Sequence, residues 1–331
     1  MKILYFTDPH VMGKNPRSRK DEFPRTILDK LDWVLGYADR NGITTVLCGG
    51  DLFHRPDTAE SVVNDVIDVV KRYPSITIYG VGGNHDFYGY NPDTIPRTML
   101  GILDKTGIYK LIKPGEVHKI GNVIITGQHA DYRLDRGNEW GYVGTAKSND
   151  WGCPGASPMV TYSIHISHGF LTDHKWPDMV PHTVIDDIQD KVKCDLLLTG
   201  HDHHGFGIIK RGEKTFCNPG ALGRISAAVG EMNRDVNVCV IDTDTFEVSL
   251  IPVSIALPAD EILDRAELEK EKEQERGMNM FIAEVGEFSV EVSGTLEVIE
   301  AIAGREELDE AVIAESIKRI EIAHEAIGGV M

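Results

Sequence analysis

Residues of metal-ligating type recur in five short motifs along the first two thirds of the chain. In order, the motifs are Asp8-x-His10, Gly50-Asp51, Gly83-Asn84-His85-Asp86, His168 and Gly200-His201-x-His203. Their carboxylate oxygens, amide oxygen and imidazole nitrogens would suffice to bind two divalent ions. Two such ions that share one bridging carboxylate form a known device for in-line attack at phosphorus. The motifs therefore predict a two-metal site with the chemistry of phosphate ester hydrolysis.

Each motif ends or directly follows a short apolar or β-branched run of the kind that forms a buried strand. Six such runs cover residues 2–6, 44–48, 76–79, 123–126, 162–166 and 196–199. Between the first three runs, residues 25–40 and 59–71 carry apolar side chains at helical spacing. This alternation predicts a largely parallel sheet covered by helices, and loops at the carboxyl ends of such strands line the ligand crevice. One fold would therefore bring together residues as distant in sequence as Asp8 and His203.

Downstream of residue 205 the pattern changes to runs typical of antiparallel strands. These runs cover residues 206–210, 214–217, 236–241 and 248–253, and they predict a second sheet packed on the first. The sequence thus predicts a main domain at residues 1–255 and a charged helical linker at residues 256–278. A small acidic α+β unit at residues 279–331 follows, with residues 308–327 as its helix.

The acidic charge is concentrated at the carboxyl end of the chain. Residues 256–331 hold 20 acidic and 7 basic side chains, so −13 of the formal charge of −18 lies there and residues 1–255 carry −5. Two bound divalent ions would add positive charge where a phosphate binds, and this local field matters more than the overall charge. The composition therefore does not exclude a nucleic acid as partner.

The composition is that of a globular protein from a reducing compartment. A chain of 331 residues with 41% hydrophobic content can bury a sizeable core. Its five cysteines lack Cys-x-x-Cys spacing and lie mostly in apolar runs, as reduced buried thiols do. Only six residues precede Thr7-Asp8, too few for a signal peptide or a membrane span. We therefore expect a cytoplasmic protein without a membrane segment.

The residue types within the motifs suggest separate roles. Asp51 can bridge two cations, whereas a neutral ligand cannot. Asn84 can bind a metal without adding charge, which leaves His85 beside it free to move a proton. Taken alone, each motif has a plain structural alternative, such as a turn or helix cap at Gly50-Asp51.

The histidines near the later runs differ in their expected positions. His201 and His203 stand two residues apart on one loop and can reach two different ions. His168 ends its run and is favoured as a ligand over His165, which lies inside the run like a packed core histidine.

In this combination and order, the motifs resemble the calcineurin-like metallophosphoesterase superfamily over residues 1–255. The resemblance implies a four-layer α/β/β/α sandwich with a small C-terminal α+β extension, and two divalent metal ions, with Mn²⁺ favoured. It implies that Asp8, His10, Asp51 and His203 hold one ion, and Asp51, Asn84, His168 and His201 the other. It also implies that His85 is the general acid and that Asp86 holds its imidazole in position.

A narrower resemblance is to the double-strand-break repair nucleases of the SbcD-like branch. The segment Gly50-Asp51-Leu52-Phe53-His54-Arg55-Pro56 matches that branch's Gly-Asp-Leu-Phe-His segment. This match implies that His54 is a second active-site histidine, which positions DNA or contacts phosphate. The segment at residues 218–224 resembles the family's Pro-Gly-Ser turn but has Ala221 in place of serine. Arg224, at the end of this segment, therefore becomes the candidate phosphate contact.

The resemblance implies a manganese-dependent DNA exonuclease or endonuclease in DNA repair, recombination or replication. Its implied partners are DNA, an SbcC-like coiled-coil ATPase and a second copy of the chain, and residues 279–331 would cap the site or dock on the ATPase. A small-molecule phosphodiesterase or phosphatase on the same two-metal site is the alternative. A non-catalytic scaffold is disfavoured because the ligand set and His85 are intact.

The stretch at residues 130–158 has no periodicity and is rich in Gly, Asn and Trp. It is either a lid or a DNA-contacting rim, in which Trp140 and Trp151 stack on unpaired bases, or a long surface loop.

Overall fold

A computed structural model describes residues 1–137, 140, 162–177, 179–264 and 266 of the chain. The chain divides into two compact units, Met1–Arg265 and Ala266–Met331. The predicted acidic unit at residues 279–331 lies outside the described residues, and so does Trp151. No helix within the described part of the chain combines the length and apolarity needed to cross a bilayer.

The described residues form fourteen strands and six α-helices. The strands are β1 (Lys2–Phe6), β2 (Thr45–Cys48), β3 (Thr77–Gly80), β4 (Lys110–Leu111), β5 (His118–Ile120), β6 (Val123–Gln128), β7 (Tyr162–Gly169), β8 (Leu171–Thr172), β9 (Thr183–Val184), β10 (Leu196–His201), β11 (Gly207–Arg211), β12 (Lys214–Asn218), β13 (Asn237–Asp242) and β14 (Glu247–Pro252). The helices are α1 (Phe23–Arg40), α2 (Glu60–Lys71), α3 (Met99–Thr106), α4 (Ile185–Ile188), α5 (Val229–Asn233) and α6 (Ala259–Ile262).

Twelve of the strands form two six-stranded sheets. The first sheet has the order β14-β13-β1-β2-β3-β4, in which β1 to β4 are parallel and β13 and β14 are antiparallel additions at one edge. The second has the order β11-β12-β10-β7-β6-β5, with a parallel centre from β12 to β6 and an antiparallel strand at each edge. The predicted α/β class with two sheets is confirmed.

The predicted assignment of strands to the two sheets is wrong. The strands β6, β7 and β10 belong to the second sheet, and β13 and β14 return to the first, where β13 pairs with β1. A strand that is buried on both faces shows the same continuous apolar run in either sheet. Its pattern therefore predicts burial and leaves the pairing partner open.

The two sheets share an apolar core between them. Fully buried side chains of the first sheet, such as Tyr5 and Leu47, pack in one cluster with Ile125, Ile166 and Leu198 of the second. The helices α1, α2 and α3 cover the other face of the first sheet. The outer layer on the second sheet is thin in the described residues and includes Leu134, Trp140 and α4.

The first unit extends past the predicted boundary at residue 255. The guanidinium of Arg224 donates to the carbonyl of Leu257, and the backbone N–H of Lys20 donates to the carbonyl of Ile262. Residues 256–264 are thus bonded into the main domain, at the start of the segment that was predicted to be a linker. Four of the cysteines, Cys48, Cys194, Cys217 and Cys239, are free and buried, as expected.

Candidate metal centre

The predicted ligands lie at the carboxyl ends of parallel strands from both sheets. Asp8, Asp51 and Asn84 follow β1, β2 and β3, whereas His168 and His201 lie at the ends of β7 and β10. In α/β folds, ligands bind in the crevice outside such strand ends, so this placement suits a functional site.

Four of the ligands have a backbone conformation that side chains rarely adopt. The φ angles are positive at Asp8 (50°), His10 (49°), Asp51 (50°) and His201 (75°). Each such residue costs about 1–3 kcal/mol, and strain of this kind persists where the surrounding structure imposes it. Here the backbone N–H groups of Asp8 and His10 donate to the carbonyls of Gly50 and Asp51, at 3.2 and 3.0 Å.

Glycines allow the ligand loops to approach one another. Gly50 has a φ of +103°, and a Cβ at this position would lie 2.6 Å from Nδ1 of His168. A Cβ at Gly83 would lie 2.1 Å from Oδ1 of Asp51. Both positions therefore require glycine for the loops to close around Asp51.

One group of possible ligands consists of Asp8, His10 and His203, whose ligand atoms all lie within 4.8 Å of one another. The Nε2 atom of His10 lies 2.9 Å from Nε2 of His203, and each of these nitrogens lies 3.8 Å from Oδ1 of Asp8. These separations suit atoms that surround one ion at about 2.0–2.2 Å.

A second group consists of Asp51, His168 and His201, again within 4.8 Å. Asn84 joins it, because its Oδ1 lies 3.1 Å from Nε2 of His168. The other ring nitrogen of His168, Nδ1, donates to the carbonyl of Gly49 at 2.7 Å, which leaves Nε2 for an ion. His165 lies apart from this group, buried and hydrogen-bonded through Nδ1 to Thr126.

The Oδ2 atom of Asp51 connects the two groups. It is buried and has no hydrogen-bond partner, although it lies 3.4 Å from Nε2 of both His10 and His168. A buried carboxylate oxygen without a partner carries a large desolvation cost. An ion on each side of this oxygen would offset that cost, so the residues present fit a pair of bridged divalent cations.

The electrostatics of the site favour the ligating protonation state at Asp51 and His10 and shift Asp8 and His168 toward their protonated forms. Burial raises the pKa of Asp8 to about 6 and lowers the pKa of His10 to about 3. Burial acts to raise the pKa of Asp51, but His168 and His10 outweigh it and hold this pKa well below its usual range. Burial acts to lower the pKa of His168, but the charge of Asp51 raises it to about 10. A cation that binds beside Asp51 would therefore displace the proton of His168.

His85 and His54 stack beside the first group. Their ring centroids lie 5.0 Å apart with 21° between the ring planes, and Nδ1 of His85 donates to the carbonyl of His54 at 2.9 Å. The backbone N–H of His85 donates to Oδ1 of Asp51 at 2.8 Å. Ligand atoms of His10, His54 and His85 also lie within 4.8 Å of one another, so the two rings adjoin the candidate centre.

Asp86 does not hold the His85 imidazole, contrary to expectation. Its buried carboxylate accepts backbone N–H groups of Leu52, Phe53 and Gly83 at 3.2, 3.0 and 2.9 Å. Asp86 therefore fixes the two loops that carry Asp51 and Asn84, and the His54 carbonyl orients His85.

Two further expectations do not fit the structure. Arg224 is 5% exposed and donates to the carbonyls of Leu257 and Arg234, so its guanidinium is not presented to a phosphate. Trp140 is 4% exposed, and its indole N–H donates to the carbonyl of Leu134 at 2.6 Å. This ring belongs to the core and cannot stack on a base.

Two carboxylates near the centre were not predicted from the sequence. Oδ2 of Asp135 lies 3.8 Å from Nε2 of His201, and Oε1 of Glu231 lies 3.7 Å from Nδ1 of His203. Asp135 falls in the aperiodic stretch and Glu231 on a helix of five residues, so neither carries a strand-end or periodicity signal.

The fold and this centre agree with a family match. The family model of the calcineurin-like phosphoesterases matches residues 1–205, which is more than half of the chain. The chain therefore belongs to the calcineurin-like phosphoesterase family, whose members use divalent metal ions to hydrolyse phosphate esters.

Among curated proteins, the chain is similar to double-strand break repair protein MRE11 of Encephalitozoon cuniculi (strain GB-M1). The two are 26% identical over an alignment of 266 residues, and the match covers 70% of this chain and 43% of that protein. The chain thus spans less than half the length of this relative.

Solved structures with some likeness include a dimetal phosphatase from Danio rerio, with 12% identity and a TM-score of 0.46, and TT1561 of Thermus thermophilus, with 11% and 0.43. The matches cover 76% of this chain, and 99% and 98% of those chains respectively. Likeness at this level carries no conclusion about the activity of the present chain.

Proposed function

We propose that this protein is a DNA nuclease that hydrolyses phosphodiester bonds with two Mn²⁺ ions, in DNA repair, recombination or replication. The proposed ligands are Asp8, His10, Asp51 and His203 for one ion, and Asp51, Asn84, His168 and His201 for the other. One histidine of each set, His10 and His168, lies 3.4 Å from the unpaired Oδ2 of Asp51, which supports the assignment. Their mixture of oxygen and nitrogen ligands is compatible with Mn²⁺.

The observation that carries the proposal is the His54–His85 pair beside the bridging carboxylate. His54 comes from the Gly-Asp-Leu-Phe-His segment that resembles the repair nucleases, and its ring stacks on the candidate general acid. The segment therefore contributes to the active site itself. The MRE11 relative, named as a double-strand break repair protein, supports DNA as the substrate.

The cations, His85 and His54 have separate roles in the proposed hydrolysis. When bound, the two cations supply Lewis acidity, which withdraws charge from the phosphoryl oxygens and lowers the pKa of water. His85 acts as an imidazolium that protonates the leaving sugar oxygen and is left as the neutral imidazole: the His54 carbonyl keeps the proton on Nδ1, so the proton on Nε2 is the one transferred. The His54 side chain contacts the DNA backbone next to that nitrogen.

The partners and the location of the protein are part of the same proposal. An SbcC-like ATPase and a second copy of the chain follow from the resemblance to the SbcD-like branch, and the cytoplasmic location follows from the cysteine usage. The four free, buried cysteines agree with a reducing compartment.

The test is cleavage by the purified full chain in the presence of MnCl₂. We expect end-labelled DNA to be degraded, and we expect a chelator or the substitution Asp51→Asn to abolish degradation. Asp57→Asn is the matched control, because this carboxylate lies on the same segment and is exposed. Hydrolysis of nucleotides or a chromogenic phosphodiester without any cleavage of DNA would contradict the nuclease proposal and favour a small-molecule phosphodiesterase.

A further inference from the structure

Two carboxylates outside the proposed ligand sets each face one histidine of the loop at residues 200–203. Asp135 faces Nε2 of His201 at 3.8 Å, and Glu231 faces Nδ1 of His203 at 3.7 Å. Their side chains are only 13% and 3% exposed. We propose that Asp135 and Glu231 are positioning residues that orient these two imidazoles, one for each metal ion.

A histidine that binds a cation through one nitrogen carries its proton on the other. An acceptor at that second nitrogen fixes both the tautomer and the orientation of the ring. For His168 this acceptor is the carbonyl of Gly49, 2.7 Å from Nδ1. His201 and His203 each have a carboxylate in the corresponding place.

The geometry identifies the second nitrogen in both rings. Nε2 of His203 lies among the first group of ligands, 2.9 Å from Nε2 of His10, so the nitrogen that faces Glu231 is the second one. Nε2 of His201 faces Asp135, which leaves Nδ1 of His201 for the ion beside Asp51.

Asp135 is held firmly in its position. Its Oδ1 accepts the backbone N–H of Phe170 at 2.6 Å, which directs Oδ2 to His201. The preceding residue, Leu134, is fully buried, and its carbonyl accepts the indole N–H of Trp140 and the hydroxyl of Thr183, both at 2.6 Å. The carboxylate therefore stands on a turn that is anchored in the core.

Glu231 is held in place by hydrogen bonds to Oε2, the carboxylate oxygen that does not face His203. Oε2 accepts from Nε and from a terminal nitrogen of Arg234 at 3.0 and 2.8 Å, and Arg234 also donates to the carbonyls of Ala221 and Gly223. Oε1 is buried and has no hydrogen-bond partner. An unpaired buried acceptor is costly, and a proton on Nδ1 of His203 would satisfy it.

The observed separations are about 1 Å longer than a charge-assisted N–H···O bond of about 2.8 Å. We expect each imidazole to rotate toward its carboxylate when the ion binds, which shortens this distance. Because the ring must turn its ligating nitrogen to the cation, binding of the ion and formation of this bond favour each other.

The test is calorimetric titration of the metal-free full chain with MnCl₂, in the absence of any substrate. We expect Asp135→Asn and Glu231→Gln each to lower the affinity for one of the two ions by about 10–100-fold. The affected ion should differ between the two variants. Asparagine and glutamine keep an oxygen for Phe170 and Arg234, so the anchoring bonds are retained. Asp173→Asn, at a carboxylate that is 47% exposed, is the control for the loss of one negative charge.

The two ions are distinguished in a His10→Ala background, which lowers the affinity for the ion that His10 and His203 bind together. There Asp135→Asn should still lower the affinity for the remaining ion, whereas Glu231→Gln should not. Circular dichroism and the melting temperature of the metal-free proteins verify folding. If Asp135→Asn unfolds, Asp135→Glu, which keeps the charge, must retain near-normal affinity.

Unchanged Mn²⁺ affinity in both variants would overturn the proposal. Equal weakening of both ions in either variant would also overturn it, because that is the effect of net charge alone. The result does not depend on DNA being the substrate, so a failure here and a failure of the proposed nuclease activity are distinguishable.

Discussion

The ring of His85 is tied to the main chain of His54 and not to a side chain. Nδ1 of His85 donates to the carbonyl oxygen of His54 at 2.9 Å, while the two rings stack. Because the acceptor is a backbone atom, no substitution at position 54 removes it. The tautomer of His85 and the side chain of His54 can therefore be tested separately.

Replacement of His85 tests its role as general acid. We expect His85→Gln to lower kcat on DNA by about 10²–10⁴-fold, since loss of a positioned acid typically costs this much. Mn²⁺ binding should be unchanged, because His85 lies outside both proposed ligand sets. The measurement pairs single-turnover cleavage with a Mn²⁺ titration, and near-normal cleavage by the variant would remove the acid assignment.

Replacement of His54 tests whether its imidazole acts on the substrate. His54→Phe keeps the backbone carbonyl and an aromatic ring to stack on His85, while His54→Ala keeps the carbonyl alone. We expect both variants to lose at least about 10-fold in kcat/KM on DNA, because a positioning contact is lost in each. If His54→Phe retains full activity, the ring acts by packing only, and the proposed contact of His54 with DNA is wrong.

The predicted ligands could be identified from the sequence because each stands at the end of an apolar run. Asp8 and Asp51 follow two parallel strands of the first sheet, and His201 ends a parallel strand of the second; within each sheet, parallel strands end at the same edge. The pairing of β13 with β1 leaves no such trace, since a doubly buried strand has the same composition in any sheet.

The side chains that were placed wrongly are amphipathic ones whose burial depends on distant partners. Trp140 is buried because two acceptors receive its indole N–H. One is the backbone carbonyl of Leu134, and the other is the hydroxyl of Thr183, 43 residues away in the sequence. Arg224 is buried because the carbonyl of Leu257 receives it. Asp135 lies beside His201 because it is held by the backbone N–H of Phe170, 35 residues away, so local spacing in the sequence could not reveal its position.

The buried position of Arg224 predicts a structural effect on substitution. We expect Arg224→Met to lower the free energy of unfolding by about 2–4 kcal/mol, because the carbonyls of Leu257 and Arg234 lose a buried charged donor. Urea unfolding measures this loss, with Arg55→Met as a control at a side chain that is 71% exposed. The KM for DNA should not change. A raised KM at unchanged stability would instead support the phosphate contact predicted from the sequence.

His129 couples the loop of Asn84 to the second sheet and predicts a pH effect on stability. Its Nδ1 accepts the backbone N–H of Gly82 at 2.9 Å, two residues before Asn84, and burial lowers the pKa of His129 to about 4. The nearby charges Asp104 and Glu116 act to raise this pKa, and Lys113 acts to lower it. The unfolded chain, with an ordinary histidine pKa near 6.5, therefore binds the proton more tightly than the folded chain.

The free energy of unfolding should consequently fall as the pH drops from about 6.5 to about 4, and His129 contributes about 2 kcal/mol of that loss by pH 5. We expect His129→Asn, whose side-chain oxygen can still accept from Gly82, to show a smaller decrease between pH 7 and pH 5. Urea unfolding of the metal-free proteins measures the difference between the variant and the unsubstituted chain. The other histidines titrate in both proteins, so their contribution cancels. His174→Asn, at an exposed histidine, should follow the unsubstituted chain. Parallel pH profiles for His129→Asn and the unsubstituted chain would mean that burial does not hold His129 neutral in the folded chain.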